Sequence, residues 1–162
     1  MDDLIVLRPQ GLYCPRGDFY IDPWRPVSKA VITHAHADHA RRGHDHYLAH
    51  RDCAGLLKAR LGDVSVQSLD YGNSLQIGDV KVCLYPTGHV LGSAQVSVSH
   101  QGRVWVVSGD YKVEPDATWL MRGARSGPSA ATLMIAATTM STGMTSMVPS
   151  GTPGNSRNRP RA

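Results

Sequence analysis

Apolar and polar positions follow short, regular patterns over roughly the first 116 residues of this chain and lose that order afterwards. Short apolar runs bounded by turn residues predict strands over 4–7, 17–22, 27–33, 47–49, 64–69, 74–77, 80–85, 94–99 and 104–107. Gly78-Asp79 and Gln101-Gly102 lie between consecutive runs and predict hairpin turns. One segment has helical spacing instead. Ala54, Leu57, the stem of Lys58 and Leu61 share a face within Arg51–Leu61, and Gly62 follows as a stop. Many short strands with one clear helix predict a β-rich α/β sandwich.

The second part of the chain reads differently. From residue 117 the composition shifts to Ser, Thr, Gly, Ala, Pro, Met and Arg, and five of the six methionines lie between Met121 and Met147. The stretch 133–139 has the look of a strand, but its surroundings do not continue the earlier pattern. Residues 149–162 are rich in Pro, Gly, Ser and Arg, a composition that cannot bury enough apolar surface to offset the entropy of ordering. The expected organisation is a folded part at 1–116 and a divergent, poorly ordered tail at 117–162. So abrupt a change is what a truncated or frame-shifted product would show.

Charge changes the picture little. The formal net charge of +4 would suggest a nucleic-acid partner, but it is unevenly placed. Residues 1–116 hold 12 Lys+Arg against all 13 Asp+Glu, and residues 117–162 hold five arginines and no acid. The excess belongs to the tail and carries no information about a substrate. Cys14, Cys53 and Cys83 are odd in number and form no CxxC pair, which suits reduced thiols and excludes a cysteine zinc site. No apolar stretch approaches the roughly 20 residues that span a bilayer, and the start of the chain is acidic, unlike a signal peptide. A cytoplasmic location without membrane association is the expectation.

The chemistry concentrates in VITHAHADHA, residues 31–40, where three histidines and an aspartate fall within six positions after an apolar run. An extended backbone at His34 and His36 would point both imidazoles to one side, with the small Ala35 between them. A turn after that brings Asp38 and His39 to a neighbouring point. Two adjacent donor sets suit two divalent metals. Imidazole and carboxylate favour zinc and accept manganese or iron.

HxHxDH is the signature of the metallo-β-lactamase superfamily, and two later segments resemble the rest of that pattern. PTGHVLGSAQ, residues 86–95, presents His89 on a glycine-flanked loop, and VVSGDY, residues 106–111, presents Asp110 at a strand end. The resemblance implies an αββα sandwich, of which this chain carries an incomplete, N-terminal half: the first sheet and parts of the second. It implies that His34, His36 and His89 bind one Zn2+, that Asp38 and His39 belong to a second, and that Asp110 bridges both. In such a site water acidified by the metals attacks phosphorus in line, and Asp38 orients that water as well as binding metal. Asp38 and Asp110 are therefore the catalytic candidates.

The segments GLYCPRGDFYIDPWRPVSKAVITHAHADHARRGHDHYLAH and GHVLGSAQV narrow the resemblance to the β-CASP nuclease branch. That branch contains mRNA 3′-end processing factors, and the chain is most similar to its bacterial ligase-associated DNA exonucleases. It resembles them over about residues 4–116. The implied activity is metal-dependent phosphodiester hydrolysis of DNA or RNA, in the setting of DNA repair, with a DNA ligase as an associated partner. After SGDYKVEPD the resemblance stops. No histidine follows His100, so the family's last second-site histidine has no counterpart, and neither does the β-CASP domain. The second metal site is expected to be incomplete and weaker. Two other readings stand beside the nuclease: a non-catalytic metal-binding remnant, and a small ester or thioester hydrolase of the same superfamily.

Other candidates are weaker. His44, Asp45, His46 and His50 form a second histidine-rich patch that reads mainly as loop and surface, the alternative being contact with phosphate or a hydrogen bond that orients a metal ligand from behind. Asp18 and Asp22 flank a strand and either assist the site from behind or shape a turn. Arg41 and Arg42 could meet a phosphate backbone or sit in a solvated turn. Trp24 and Trp105 read as core, and Cys83 as a small buried hydrophobe.

Overall fold

The computed structural model describes residues 3–111 and, for the backbone alone, 134–137. The rest of the segment expected to diverge, 117–162, lies outside the described residues, as do the frame-shift and disorder readings attached to it.

Among the described residues, eleven strands and one helix follow in the order β1 (Val6–Arg8), β2 (Gly11–Cys14), β3 (Phe19–Ile21), β4 (Lys29–Val31), β5 (His46–His50), α1 (Arg51–Leu61), β6 (Val66–Leu69), β7 (Ser74–Ile77), β8 (Val80–Pro86), β9 (Ala94–His100), β10 (Arg103–Ser108) and β11 (Met134–Ala137). They form two sheets. The first is six-stranded, in the order β1-β2-β3-β4-β5-β6, antiparallel over β1–β3 and parallel from β3 to β6. The second is five-stranded, in the order β11-β10-β9-β8-β7, antiparallel except where β11 runs parallel to β10.

Alternation explains the second sheet. On β8 and β9, Val80, Val82, Leu84, Ala94, Val96 and Val98 turn inward, while Lys81 turns out. They meet Leu12, Cys14, Phe19, Ile21, Val31 and Leu48 of the first sheet in one core between the sheets. A second core lies on the other face of the first sheet, where Ala30, Ile32, Tyr47 and Ala49 pack on Cys53, Leu57 and Leu61 of α1. The described layers are therefore α/β/β, an incomplete metallo-β-lactamase-like sandwich.

Helix α1 starts and stops as its ends require. The His50 ring accepts from Asp52 N at 3.2 Å as the N-cap, Asp52 adds negative charge to the first turn, and Gly62 closes the other end at φ 82°. Its buried face is Cys53, Ala54, Leu57 and Leu61. Lys58 is exposed, contrary to the expectation that its stem is buried; Cys53 takes that place.

The sequence analysis assigns no strand to Gly11–Cys14, yet β2 is fully buried and pairs on both sides. Its four residues lack an alternating face because neither face meets water, so no period is visible. The expected strand at 27–33 shrinks to Lys29–Val31. The two hairpin turns form as expected: Gly78 and Gln101-Gly102 take positive φ between β7 and β8 and between β9 and β10. The strand expected at 133–139 corresponds to β11.

Candidate metal centre

The topology gathers strand ends. β3 and β4 run parallel, so the residues that follow them emerge side by side: Asp22 from β3, and Thr33 and His34 from β4. The second sheet joins at the same place through the bond from Ala94 N to Thr33 O, 2.8 Å. His89 lies on the loop between β8 and β9, and Asp110 follows β10. Gly109 lies so close to Thr33 that a Cβ there would collide with the Thr33 hydroxyl.

Four of the six residues implied as ligands converge. One donor atom from each of His34, His36, His89 and Asp110 lies within 4.8 Å of every other. His89 Nε2 is 3.3 Å from His36 Nδ1 and 3.4 Å from Asp110 Oδ2, and His34 Nε2 is 3.7 Å from the same oxygen. Asp38 and His39 stand outside this group but adjoin it. His39 Nε2 is 3.6 Å from Asp38 Oδ2 and 3.7 Å from Asp110 Oδ1. The two oxygens of Asp110 thus face two different donor sets.

A proton inventory shows what the arrangement lacks. Asp22 Oδ1 accepts from Thr33 N at 2.8 Å, and its Oδ2 accepts from the Thr33 hydroxyl at 2.5 Å. That hydroxyl has spent its proton, so His34 Nδ1, 3.1 Å away, must donate to it. His39 Nδ1 likewise donates to Asp22 Oδ2 at 2.7 Å. Both rings therefore turn a lone pair at Nε2 towards the carboxylates. Both Nε2 atoms are buried and find no hydrogen-bond partner among the described residues. A lone pair facing a carboxylate oxygen is repulsive until a cation stands between them. Donors at about 2.0–2.1 Å from one tetrahedral zinc lie ~3.3 Å from one another, which the observed spacings approach. The residues fit a divalent metal.

Electrostatics without metal express the same demand. Burial lowers the pKa of His34 to about 4, with His39 acting in the same direction, so His34 is neutral near pH 7 and ready to ligate. Burial opposes the charge on His39 too. Its bond to Asp22 and the negative charges of Asp22, Asp38 and Asp110 outweigh that and raise its pKa. A positive charge at that nitrogen, from a proton or a metal, is what the surrounding carboxylates favour.

The remaining candidates fall elsewhere. Asp22 carries the support just described, while Asp18 takes φ 50° and accepts from Tyr13 Oη at 2.9 Å in a turn away from the histidines. His50 is the helix cap, His46 is exposed, and His44 is buried against Tyr47 with neither ring nitrogen partnered among the described residues. The reading of this patch as loop and surface therefore fails for His44 and His50. Arg42 donates to Arg60 O at 3.1 Å, and Arg41 is exposed with its carbonyl held by Tyr47 Oη. Trp24 is half-buried and donates to Pro9 O at 2.7 Å; Trp105 packs against the inter-sheet core. Cys83 is half-buried, more open than expected. A cavity of about 510 Å³ opens between the sheets near Lys29, His46 and Ile77, and includes none of the six. Thr33 was missed by sequence reasoning. Its only signal is its position before the first histidine.

Comparisons with known proteins agree with this geometry at the level of the fold. No protein-family model matches the chain. A probable DNA ligase of Opitutus terrae is 34% identical over 117 residues, covering 67% of this chain and 11% of that protein. The chain thus spans about a tenth of the length of this curated relative. A CmlA β-hydroxylase variant aligns with 69% of this chain and 31% of its own at 18% identity, with a TM-score of 0.51. A flavodiiron protein of Giardia intestinalis aligns with 61% of this chain and 31% of its own at 16% identity, with a TM-score of 0.51. The chain has a metallo-β-lactamase-like fold whose strand ends assemble a His/Asp cluster suited to a metal.

Proposed function

We propose that this chain carries the metal centre of a phosphodiester hydrolase that acts on nucleic acid, in the manner of a DNA exonuclease. The observation that carries the reading is the split carboxylate of Asp110, with Oδ2 facing His34 and His89 and Oδ1 facing His39. A single-metal site has no use for the second set. Bound Zn2+ or Mn2+ would supply Lewis acidity and acidify water for attack on phosphorus. His34, His36 and His89 would hold a metal at the first position, and Asp38 with His39 one at the second, with Asp110 facing both sets. Asp38, 45% exposed at its side chain, is the carboxylate best placed to orient an entering water. Asp22 fixes the ring of His39 from behind. The similarity to a probable DNA ligase supports DNA as the substrate class and end processing beside a ligase as the setting.

The test is incubation of zinc- or manganese-loaded protein with end-labelled single- and double-stranded DNA, repeated with His36→Ala. Cleavage by the wild type that His36→Ala abolishes is the expected result. Cleavage that survives the substitution comes from another site and defeats the reading. Zinc binding without cleavage leaves a metal-binding protein that is not a nuclease.

A further inference from the structure

The His89 loop is held by a residue that no motif marks. Tyr71 lies between β6 and β7 and donates its hydroxyl to the Ser93 carbonyl at 2.6 Å. That carbonyl also accepts from Thr87 N at 3.3 Å, so the two ends of the loop are tied at one oxygen. Inside the loop Ser93 Oγ accepts from Thr87 Oγ1 at 2.8 Å and from Val90 N at 3.2 Å. The Tyr71 ring lies flat on the His50 ring, with centroids 3.5 Å apart and planes 10° from parallel. His50 is itself pinned as the cap of α1. Gly92 then presses on the first turn of that helix, where a Cβ would collide with the backbone of Cys53 and Asp52. Burial pushes the Tyr71 phenol well up, so it stays a donor through the neutral range.

This support matters because His89 needs it. His34 and His39 are buried and locked through Thr33 and Asp22, whereas the His89 side chain is 28% exposed and sits on a loop. Its orientation must come from the loop's anchor. We propose that Tyr71, backed by His50, is a positioning residue that aims His89 at the metal centre. The inference rests on reading that centre as metal-binding.

Tyr71→Phe keeps the ring stack and removes only the hydroxyl. His50→Asn keeps a capping acceptor and removes the stack. The full chain is assayed for zinc affinity by competition with a chromophoric chelator, for the d–d spectrum of its Co2+ form, and for the metal-free melting temperature. Loss of an outer support of this kind weakens metal binding by roughly 10–100-fold. The expected result is zinc affinity about tenfold weaker in Tyr71→Phe, a changed cobalt spectrum, and a metal-free melting temperature within a few degrees of wild type. His50→Asn should weaken binding in the same direction. Zinc affinity of Tyr71→Phe within about twofold of wild type, well short of that range, overturns the proposal alone. A wild-type chain that binds no zinc overturns the metal-centre reading and this inference with it. Unfolding of both metal-free variants would make the role structural and also overturns it.

Discussion

Asp22 and His39, 17 positions apart in sequence, are joined by a 2.7 Å contact between Oδ2 and Nδ1. The contact decides which nitrogen of His39 faces the centre. Without it, either tautomer could form, and half of the orientational choice would be lost. Asp22→Asn keeps the size and removes the charge. We expect binding at the second metal position to weaken by roughly 10–100-fold, with the first position less affected. Isothermal titration with zinc measures this, and equal losses at both positions would contradict it.

Metal loading should also stabilise the fold. Binding to the native chain alone stabilises it by about 2.7 kcal/mol at a hundredfold excess over Kd. The melting temperature is expected to rise with added Zn2+ and to return with a chelator. Two unequal binding steps are expected, because three histidines and Asp110 serve the first position while Asp38 and His39 share Asp110 at the second. Two equivalents bound with one affinity would refute the asymmetry.

Gly109 is the close approach that seats Thr33. Gly109→Ala should drive its methyl into the Thr33 hydroxyl and break the bonds from Thr33 to Asp22 and His34. A loss of about 1–3 kcal/mol in stability is expected, as for an overpacked site, together with loss of high-affinity zinc. Chemical denaturation of the metal-free protein and zinc titration report the two effects separately.

His44 supplies a pH prediction. Burial lowers its pKa, with Asp45 partly opposing, so the folded chain holds it neutral. The unfolded chain takes up a proton near pH ~6.5 while the folded chain resists, so stability is fully present above that pH and falls as pH drops through it. The loss is at most about 1.4 kcal/mol per pH unit from this one group, until the lower folded pKa is reached. His44→Phe should flatten the fall in melting temperature between about pH 7.5 and 5.5. An unchanged slope would mean that His44 finds water or a partner.

Much of this was legible from residue order alone. The span Arg51–Leu61, the turn at Gly78 and the strand at Ser74–Ile77 follow from local period and turn chemistry, which are properties of neighbouring residues. HxHxDH marked a metal motif because four ligating side chains in six positions rarely serve packing. The fully buried β2 hid itself, because burial on both faces erases the alternation that announces a strand. Lys58 and Cys53 exchanged places on α1 for a similar reason: helical spacing defines a stripe, and the neighbouring sheet selects its centre.

The pairing of Asp22 with His39, the tie from Tyr71 to Ser93 and the split of Asp110 between two donor sets join residues up to 76 positions apart. Such contacts depend on which strand ends lie side by side. That is set by sheet order and by the packing of two sheets, not by any local pattern. The sequence therefore named the candidate donors, and the fold brought four of them together. The fold chose which nitrogen His39 presents, since a tautomer is fixed by whatever stands behind the ring, and here that is a carboxylate that follows another strand.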